Sequence, residues 1–182
     1  MSEGARPPGV ILRRLTPEDA ADYRTIRLMA LRLDPDAFSS TYEAEMARPM
    51  ESFAERLASS VVFAAYDGDR IIGMAGFKQE AGAKHRHKAM LWGMYVATAW
   101  RGRGVGAMLV RAVVEAARQQ VEQLTLAVVQ CNKAAIALYE KFGFRAYGIE
   151  PHATKTGDGY WDEVLMALLF NALPGEDKFC DV

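Results

Sequence analysis

Residues 100–120 read WRGRGVGAMLVRAVVEAARQQ. Gly102, Gly104 and Gly106 alternate with Arg101, Arg103 and Val105, and an apolar-striped segment follows at once. Glycine inside a helix costs about 1 kcal/mol relative to alanine, so this density at a helix entrance needs a reason. Val105, Leu109, Ala112, Val113 and Ala116 recur at helical spacing and predict one buried face. The preceding residues, 89–96 (AMLWGMYV), read as a buried strand. A strand, a glycine-rich turn and a helix together make an anion cradle. Glycine lets the backbone turn its N–H groups toward a ligand, and the helix N-terminus adds partial positive charge. Arg101 and Arg103 add full charges, and a pyrophosphate is the natural guest.

Outward from this turn the periodicity changes several times. Residues 10–15 (VILRRL) read as a short strand. Thr16-Pro17-Glu18-Asp19 has the chemistry of a helix start: a hydroxyl N-cap, an early proline and acids at the positive end of the dipole. Tyr23, Ile26, Ala30 and Leu33 continue at helical spacing, and Asp34-Pro35-Asp36 ends the helix. Residues 38–46 read as a polar loop and residues 50–59 as a second, shorter helix. Two apolar runs around Asp67-Gly68-Asp69 predict a hairpin. Residues 81–88 (AGAKHRHK) are a polar connection before the strand at 89–96. Downstream, QLTLAVV predicts another strand, and Asn132 caps a helix carrying Ala135, Leu138, Tyr139 and Phe142 until Gly143 stops it. FRAYGI and YWDEVLMALLF are the last strands, around a turn-rich loop containing residues 156–159. Hairpins and helical crossovers together predict an α/β layer fold with a mixed sheet.

The chain has 182 residues, 51% hydrophobic and 25% charged, with a net charge of −1. That suits one soluble domain, residues 10–170, between a loose N-terminal tail (residues 1–9) and a C-terminal tail (residues 171–182). The balanced charge argues for no nucleic acid and no membrane partner. Cys131 and Cys180 form no CxxC pair, which suggests neither a disulfide framework nor a zinc site. The first residues lack an apolar signal region, so a cytoplasmic protein is expected. Sheet edges left by the last strands leave monomer and homodimer both open.

Three phosphate motifs compete for the turn. A Walker loop needs Gly-x-x-x-x-Gly-Lys-Ser/Thr, a string the chain lacks. A dinucleotide fingerprint fits literally as Gly102-x-Gly104-x-x-Ala107, but the next strand ends in Gln130 and Asn132 where that fold wants an acid. The third pattern is Arg101-x-x-Gly104-x-Gly106. It follows the strand LWGMYV and resembles the acetyl-coenzyme A motif of the GCN5-related N-acetyltransferase (GNAT) superfamily. Residues 132–144, NKAAIALYEKFGF, resemble the same superfamily's Asn-x-x-Ala-x-x-Leu-Tyr-x-x-x-Gly-Phe segment. LRLDPDAFSSTYEAE and GYWDEVLMALL resemble its first helix–loop and its last strand, so the likeness runs from Val10 to Phe170.

The resemblance implies a single-domain GNAT-like fold: a mixed, mostly antiparallel sheet with splayed central strands and helices on both faces. It implies acetyl transfer from acetyl-CoA, a cosubstrate, directly to the primary amine of a small molecule or amino acid. The alternatives are a protein N-terminal or lysine acetyltransferase and a non-catalytic acyl-CoA-binding module. The turn at Arg101, Gly102, Arg103, Gly104, Val105 and Gly106 would hold the pyrophosphate. The Met94, Tyr95 and Val96 backbone would pair with the pantetheine arm, and an amide there would steady the oxyanion. Tyr139 matches the tyrosine that faces the sulfur and would protonate the departing thiolate, and Asn132 would contact the coenzyme as well as cap its helix.

The proton acceptor stays open among Glu43, Glu45, Glu80, His85, His87, Asp162, Glu163 and a water chain. Asp162 and Glu163, being adjacent, point to opposite faces of a strand. Residues 84–88 (KHRHK) read as a solvated hairpin end. His85 and His87 would share a face if that segment were extended, but cationic neighbours and the want of a third ligand argue for no metal. Trp92 and Trp161 fill the core or wall an acceptor pocket. Cys131 has no histidine partner in sequence and is not expected to carry an acyl group.

Overall fold

The computed structural model describes residues 9–157 and 159–170. The two expected tails, apart from Gly9, lie outside the described residues, as do Cys180 and Asp158. The strands are β1 (Val10–Arg14), β2 (Val61–Asp67), β3 (Arg70–Gln79), β4 (Lys88–Val96), β5 (Gln123–Val129), β6 (Arg145–Thr156) and β7 (Gly159–Leu169). The helices are α1 (Ala20–Leu33), α2 (Tyr42–Met46), α3 (Met50–Ala58), α4 (Val105–Arg118) and α5 (Lys133–Lys141). One seven-stranded sheet runs in the order β1-β2-β3-β4-β5-β7-β6. Every neighbouring pair is antiparallel except β4 and β5.

Two apolar layers hold the sheet. Tyr23, Ile26, Ala30 and Leu31 of α1 pack with Phe53 and Leu57 of α3 against Ala64, Met74 and Tyr95. On the other face Val105, Leu109, Val110, Val113 and Ala117 of α4, with Tyr139 of α5, cover β3, β4, β5 and β7. Each fully buried side chain of this size contributes about 1.5–3 kcal/mol by leaving water. β3 lies mid-sheet and is buried without a break from Ile71 to Phe77, as a strand covered on both faces should be.

The α1 entrance follows its sequence: the Asp19 carboxylate accepts from the Thr16 N–H at 2.7 Å. Its exit corrects one expectation. Leu33 is exposed and Leu31 is buried in its place, because the inward stripe runs through residues 23, 26, 27, 30 and 31. The segment expected as a plain loop contains α2, started by Thr41, whose hydroxyl accepts from the Ala44 N–H at 3.2 Å. The turn-rich loop expected near residues 156–159 is a tight hairpin end, since β6 and β7 stay paired up to Thr156 and Gly159. The connection before β4 is turned rather than extended, with the His85 and Arg86 N–H groups both donating to the Gly82 carbonyl. His85 and His87 therefore share no strand face.

The β4–β5 pair positions the site. The two strands are joined only where Lys88–Met90 meet Gln123–Thr125. Past that point β4 stays with β3 up to Val96, while β5 stays with β7 up to Val129. Each strand follows its outer neighbour, so a gap opens between them. A bulge sharpens the divergence: Met74 and Gly76 of β3 face Tyr95 and Trp92 of β4, which puts one extra residue in β4. Gly93 sits there with φ of +67°, a conformation that side chains with a β-carbon resist.

Candidate active site

The gap carries two connected cavities. The outer one, of about 300 Å³, is bounded by Met94, Tyr95 and Val96 of β4, the turn at Arg101 and Gly102, Gly106 of α4, and Asn132 of α5. The inner one, of about 100 Å³, lies between Trp92–Met94 of β4 and Ala127–Val129 of β5, with Tyr139 in its wall. Phe38, Met94, Asn132 and Ala135 line both, so the two form one channel from the helix entrance to the tyrosine.

At the mouth, Gly104 takes φ +86° and ψ −7° immediately before Val105 begins α4. Met108 is the first residue of the helix to bond back, to the Gly104 carbonyl at 3.0 Å. The amides of Val105, Gly106 and Ala107 therefore precede the helical ladder and lack intrahelical acceptors. Gly106 is required for room: a β-carbon there would stand 3.2 Å from Met94 Cε and 3.3 Å from Leu138 Cδ2. The cradle is thus backbone amide at a positive helix end, which is chemistry suited to a diphosphate.

The arginines play parts the sequence did not reveal. Arg101 donates to the Val96 carbonyl at 2.9 Å and to Asp34 Oδ2 at 2.6 Å, with its guanidinium 5.7 Å from the Tyr95 ring. It ties the end of α1 to the end of β4 and so braces the channel mouth. Arg103 lies over the Trp100 ring at 5.3 Å. Tyr95 itself is buried toward α1, so what it offers the gap is its backbone.

Tyr139 is 5% exposed, and burial pushes its phenol far above the ordinary value. It meets Phe144 edge-on at 5.7 Å between centroids. A phenol raised in this way stays protonated at neutral pH, so it carries a proton and cannot serve as the base. Asn132 serves as cap and wall together: its side-chain oxygen accepts from the Ala135 N–H at 3.1 Å while the residue borders both cavities. Cys131, beside it, is an exposed free thiol.

The candidate proton acceptors separate by environment. Glu45 is 2% exposed, and both its oxygens accept from Arg56, at 3.2 and 3.1 Å. Glu43, Glu80 and His85 are exposed and His87 lies on the turn before β4. Asp162 accepts from the His152 N–H at 2.8 Å. Glu163 differs from all of these. Val164, Met166 and Leu168 point into the α4 layer, so Glu163 points to the opposite face of the sheet. It pairs in register with Val129, a wall residue of the inner cavity, and with Glu150 on β6. Burial first, then the Glu150 charge, raises its carboxyl above the usual range. Among the described residues no three His, Cys, Asp or Glu side chains converge on a metal position.

A sheet parted between its parallel pair, with an open helix end at the mouth and a buried tyrosine at the inner end, defines an acyl-coenzyme A transferase scaffold. The sequence bears this out: the profile of the Acetyltransferase (GNAT) family matches residues 27–144, and the chain belongs to that family. It is an N-acetyltransferase of the mixed α/β, mostly antiparallel fold its motifs implied. Among curated relatives it is 27% identical over 155 residues to an L-amino acid N-acetyltransferase, AaaT, of Escherichia coli K12, covering 82% of this chain and 93% of that one. It is 37% identical over 82 residues to the [ribosomal protein bS18]-alanine N-acetyltransferase of Salmonella typhimurium, covering 44% of this chain and 55% of that one. Among solved structures it overlays on yncA, a putative acetyltransferase from Salmonella typhimurium with its cofactor acetyl-CoA. The TM-score is 0.76 at 19% identity, over 93% of this chain and 99% of that one.

The bulge at Gly93 and the brace from Arg101 to Asp34 escaped the sequence reading. The first had a signal, a lone glycine inside an apolar strand. The second had none, because the partners lie on elements distant in sequence.

Proposed function

We propose that the chain transfers the acetyl group of acetyl-CoA directly to the primary amine of an amino acid or similar small molecule. The observation that carries this is the parted β4–β5 pair, whose channel joins an amide-lined helix end to a buried tyrosine. Bound acetyl-CoA supplies an activated acetyl thioester, and the chain supplies the rest. The Val105 and Gly106 amides hold the diphosphate, with Gly102 and Gly104 shaping the turn, Arg101 bracing the mouth through Asp34 and Arg103 adding positive charge. The β4 backbone from Met94 to Val96, unpaired on its β5 side, offers a strand edge to the amide-bearing arm. Tyr139 holds its proton ready for the leaving sulfur. Glu163 takes a proton from the acceptor ammonium, its raised pKa bringing it nearer the amine's. The amino-acid acceptor is favoured by the relative that matches over most of both chains, whose name assigns it L-amino acids.

The test is thiol release from acetyl-CoA with a panel of amines, alongside calorimetry of coenzyme binding. Saturable binding and acceptor-dependent thiol release are expected, and coenzyme that fails to bind would end the reading. Glu163→Gln sharpens it. A base must be ionised, so wild-type kcat/KM should fall as pH drops through the raised carboxyl pKa. The glutamine variant should be about 100-fold slower at neutral pH and lose that acid limb. An unchanged limb would assign the proton to water instead.

A further inference from the structure

A third cavity, of about 560 Å³, opens on the α1 side of β3 and β4. Four basic side chains line it, Arg27, Arg48, Arg56 and Lys78, against two carboxylates, Glu45 and Glu80. Glu45 is spent inside the cluster: Arg56 grips both its oxygens, and Arg27 Nη2 lies 3.7 Å from Oε1. Neither Arg48 nor Lys78 forms an ion pair among the described residues, although both are exposed. The cavity therefore keeps an excess of positive charge.

Arg27 is the informative residue. It is 6% exposed, and its Nε is a buried donor with no hydrogen-bond acceptor among the described residues. A buried charged N–H left unpaired carries its full desolvation penalty, so the fold keeps it for a partner that arrives later or at a standing loss. Its guanidinium is held in place by Phe38, whose ring lies 5.1 Å from it, and Phe38 also lines both cavities of the coenzyme channel. Trp92 is common to this cavity and to the inner cavity that Tyr139 borders. A ligand anchored on Arg27 would thus lie across one indole ring from the reacting end of the channel.

We propose that this cavity receives the carboxylate of a free amino-acid acceptor, with Arg27 Nε donating to it, Arg48 and Lys78 drawing it in, and Trp92 packing against its body. This deepens the reading of the chain as an amino-acid acetyltransferase and rests on it. With Nη2 turned toward Glu45, the carboxylate would take a single N–H from Arg27 Nε, while Arg48 and Lys78 offset the charge of Glu45. Peptide N-termini, which lack a carboxylate beside the amine, would leave the donor orphaned, and a site built for a polar group rejects ligands lacking it.

The experiment uses the full chain saturated with coenzyme A. Each of the common amino acids is titrated calorimetrically beside its own carboxamide, which keeps the amine and loses the anion, and beside inorganic phosphate. At least one amino acid should bind tenfold or more tightly than its carboxamide. Lys78→Gln and Arg48→Gln, both at exposed positions, should each weaken the acid about threefold and leave the carboxamide alone. Arg27→Lys should weaken it more, with the melting temperature reporting whether the buried cluster survives. Carboxamides bound as well as acids, phosphate preferred to every amino acid, or no amino acid bound would each overturn the proposal. Thiol release separates the two readings. If carboxamides and peptide amines are acetylated as fast as the acids, this site is wrong while acetyl transfer stands. If acids bind through Arg27 and no thiol appears with any amine, the anion site stands while the proposed reaction falls.

Discussion

Two helices open onto the channel between β4 and β5 by their N-termini, and they do so differently. α5 begins with Asn132, whose own side chain accepts from the Ala135 amide. α4 begins with Gly104, which has no side chain to offer, and its first amides are left for something else. A capped helix end is finished and can serve as a wall. An uncapped one at a cavity mouth is a binding surface, because its N–H groups and its dipole both await an anion. In the proposed reaction the helices also present different parts, α4 its end and α5 its flank, through Tyr139.

The largest effect that bears on this contrast is expected at the α5 flank. Tyr139→Phe removes the proposed proton donor and should lower kcat about 100-fold, with coenzyme affinity by calorimetry nearly unchanged. A variant that lost affinity instead would make the tyrosine a packing residue. At the α4 end, Gly106→Val pushes methyl groups toward Met94 and Leu138 and into the channel. Coenzyme binding should weaken at least about 30-fold, or about 2 kcal/mol, while the circular dichroism spectrum stays folded.

Gly104→Ala is subtler. It forces a β-carbon into a left-handed turn, costing about 1–2 kcal/mol of stability and loosening coenzyme binding several-fold. The smallest binding effect should come from the capped end. Asn132→Ala should cost about 1 kcal/mol of stability, a fall of about 2–4 °C in Tm, and change coenzyme affinity less than threefold. If Asn132→Ala weakened binding as much as Gly106→Val, the distinction between the two helix ends would be gone, and the asparagine would be a direct ligand.

The same contrast explains what could be read in advance. The α4 entrance was legible because backbone recognition needs glycine, and glycine clusters stand out in a sequence. Spacing made Tyr139 legible as a residue on the apolar face of its helix and Asn132 as the cap, while the site roles proposed for them came from the family resemblance. The hairpin at Asp67-Gly68-Asp69 and the long α4 stripe carried the fold class. Three local misreadings had separate causes: Leu33 lies off the inward stripe of α1, α2 is a five-residue helix capped by Thr41 inside a polar segment, and β6 and β7 stay paired up to Thr156 and Gly159. The proton acceptor stayed a list because glutamates look alike until burial and a second carboxylate, Glu150, separate Glu163 from the rest.

By itself the sequence determined the strand–turn–helix run into α4, the order of the strands and of every helix but α2, and the tyrosine on α5, because each depends on residues adjacent or one helical turn apart. Only the tertiary structure decided how β4 and β5 part, which carboxylate is raised, and that Arg27, Arg56 and Glu45 meet. Those features depend on which strand each strand follows and on which charges burial brings together. Both are set by contacts between segments distant along the chain, where no local pattern records them.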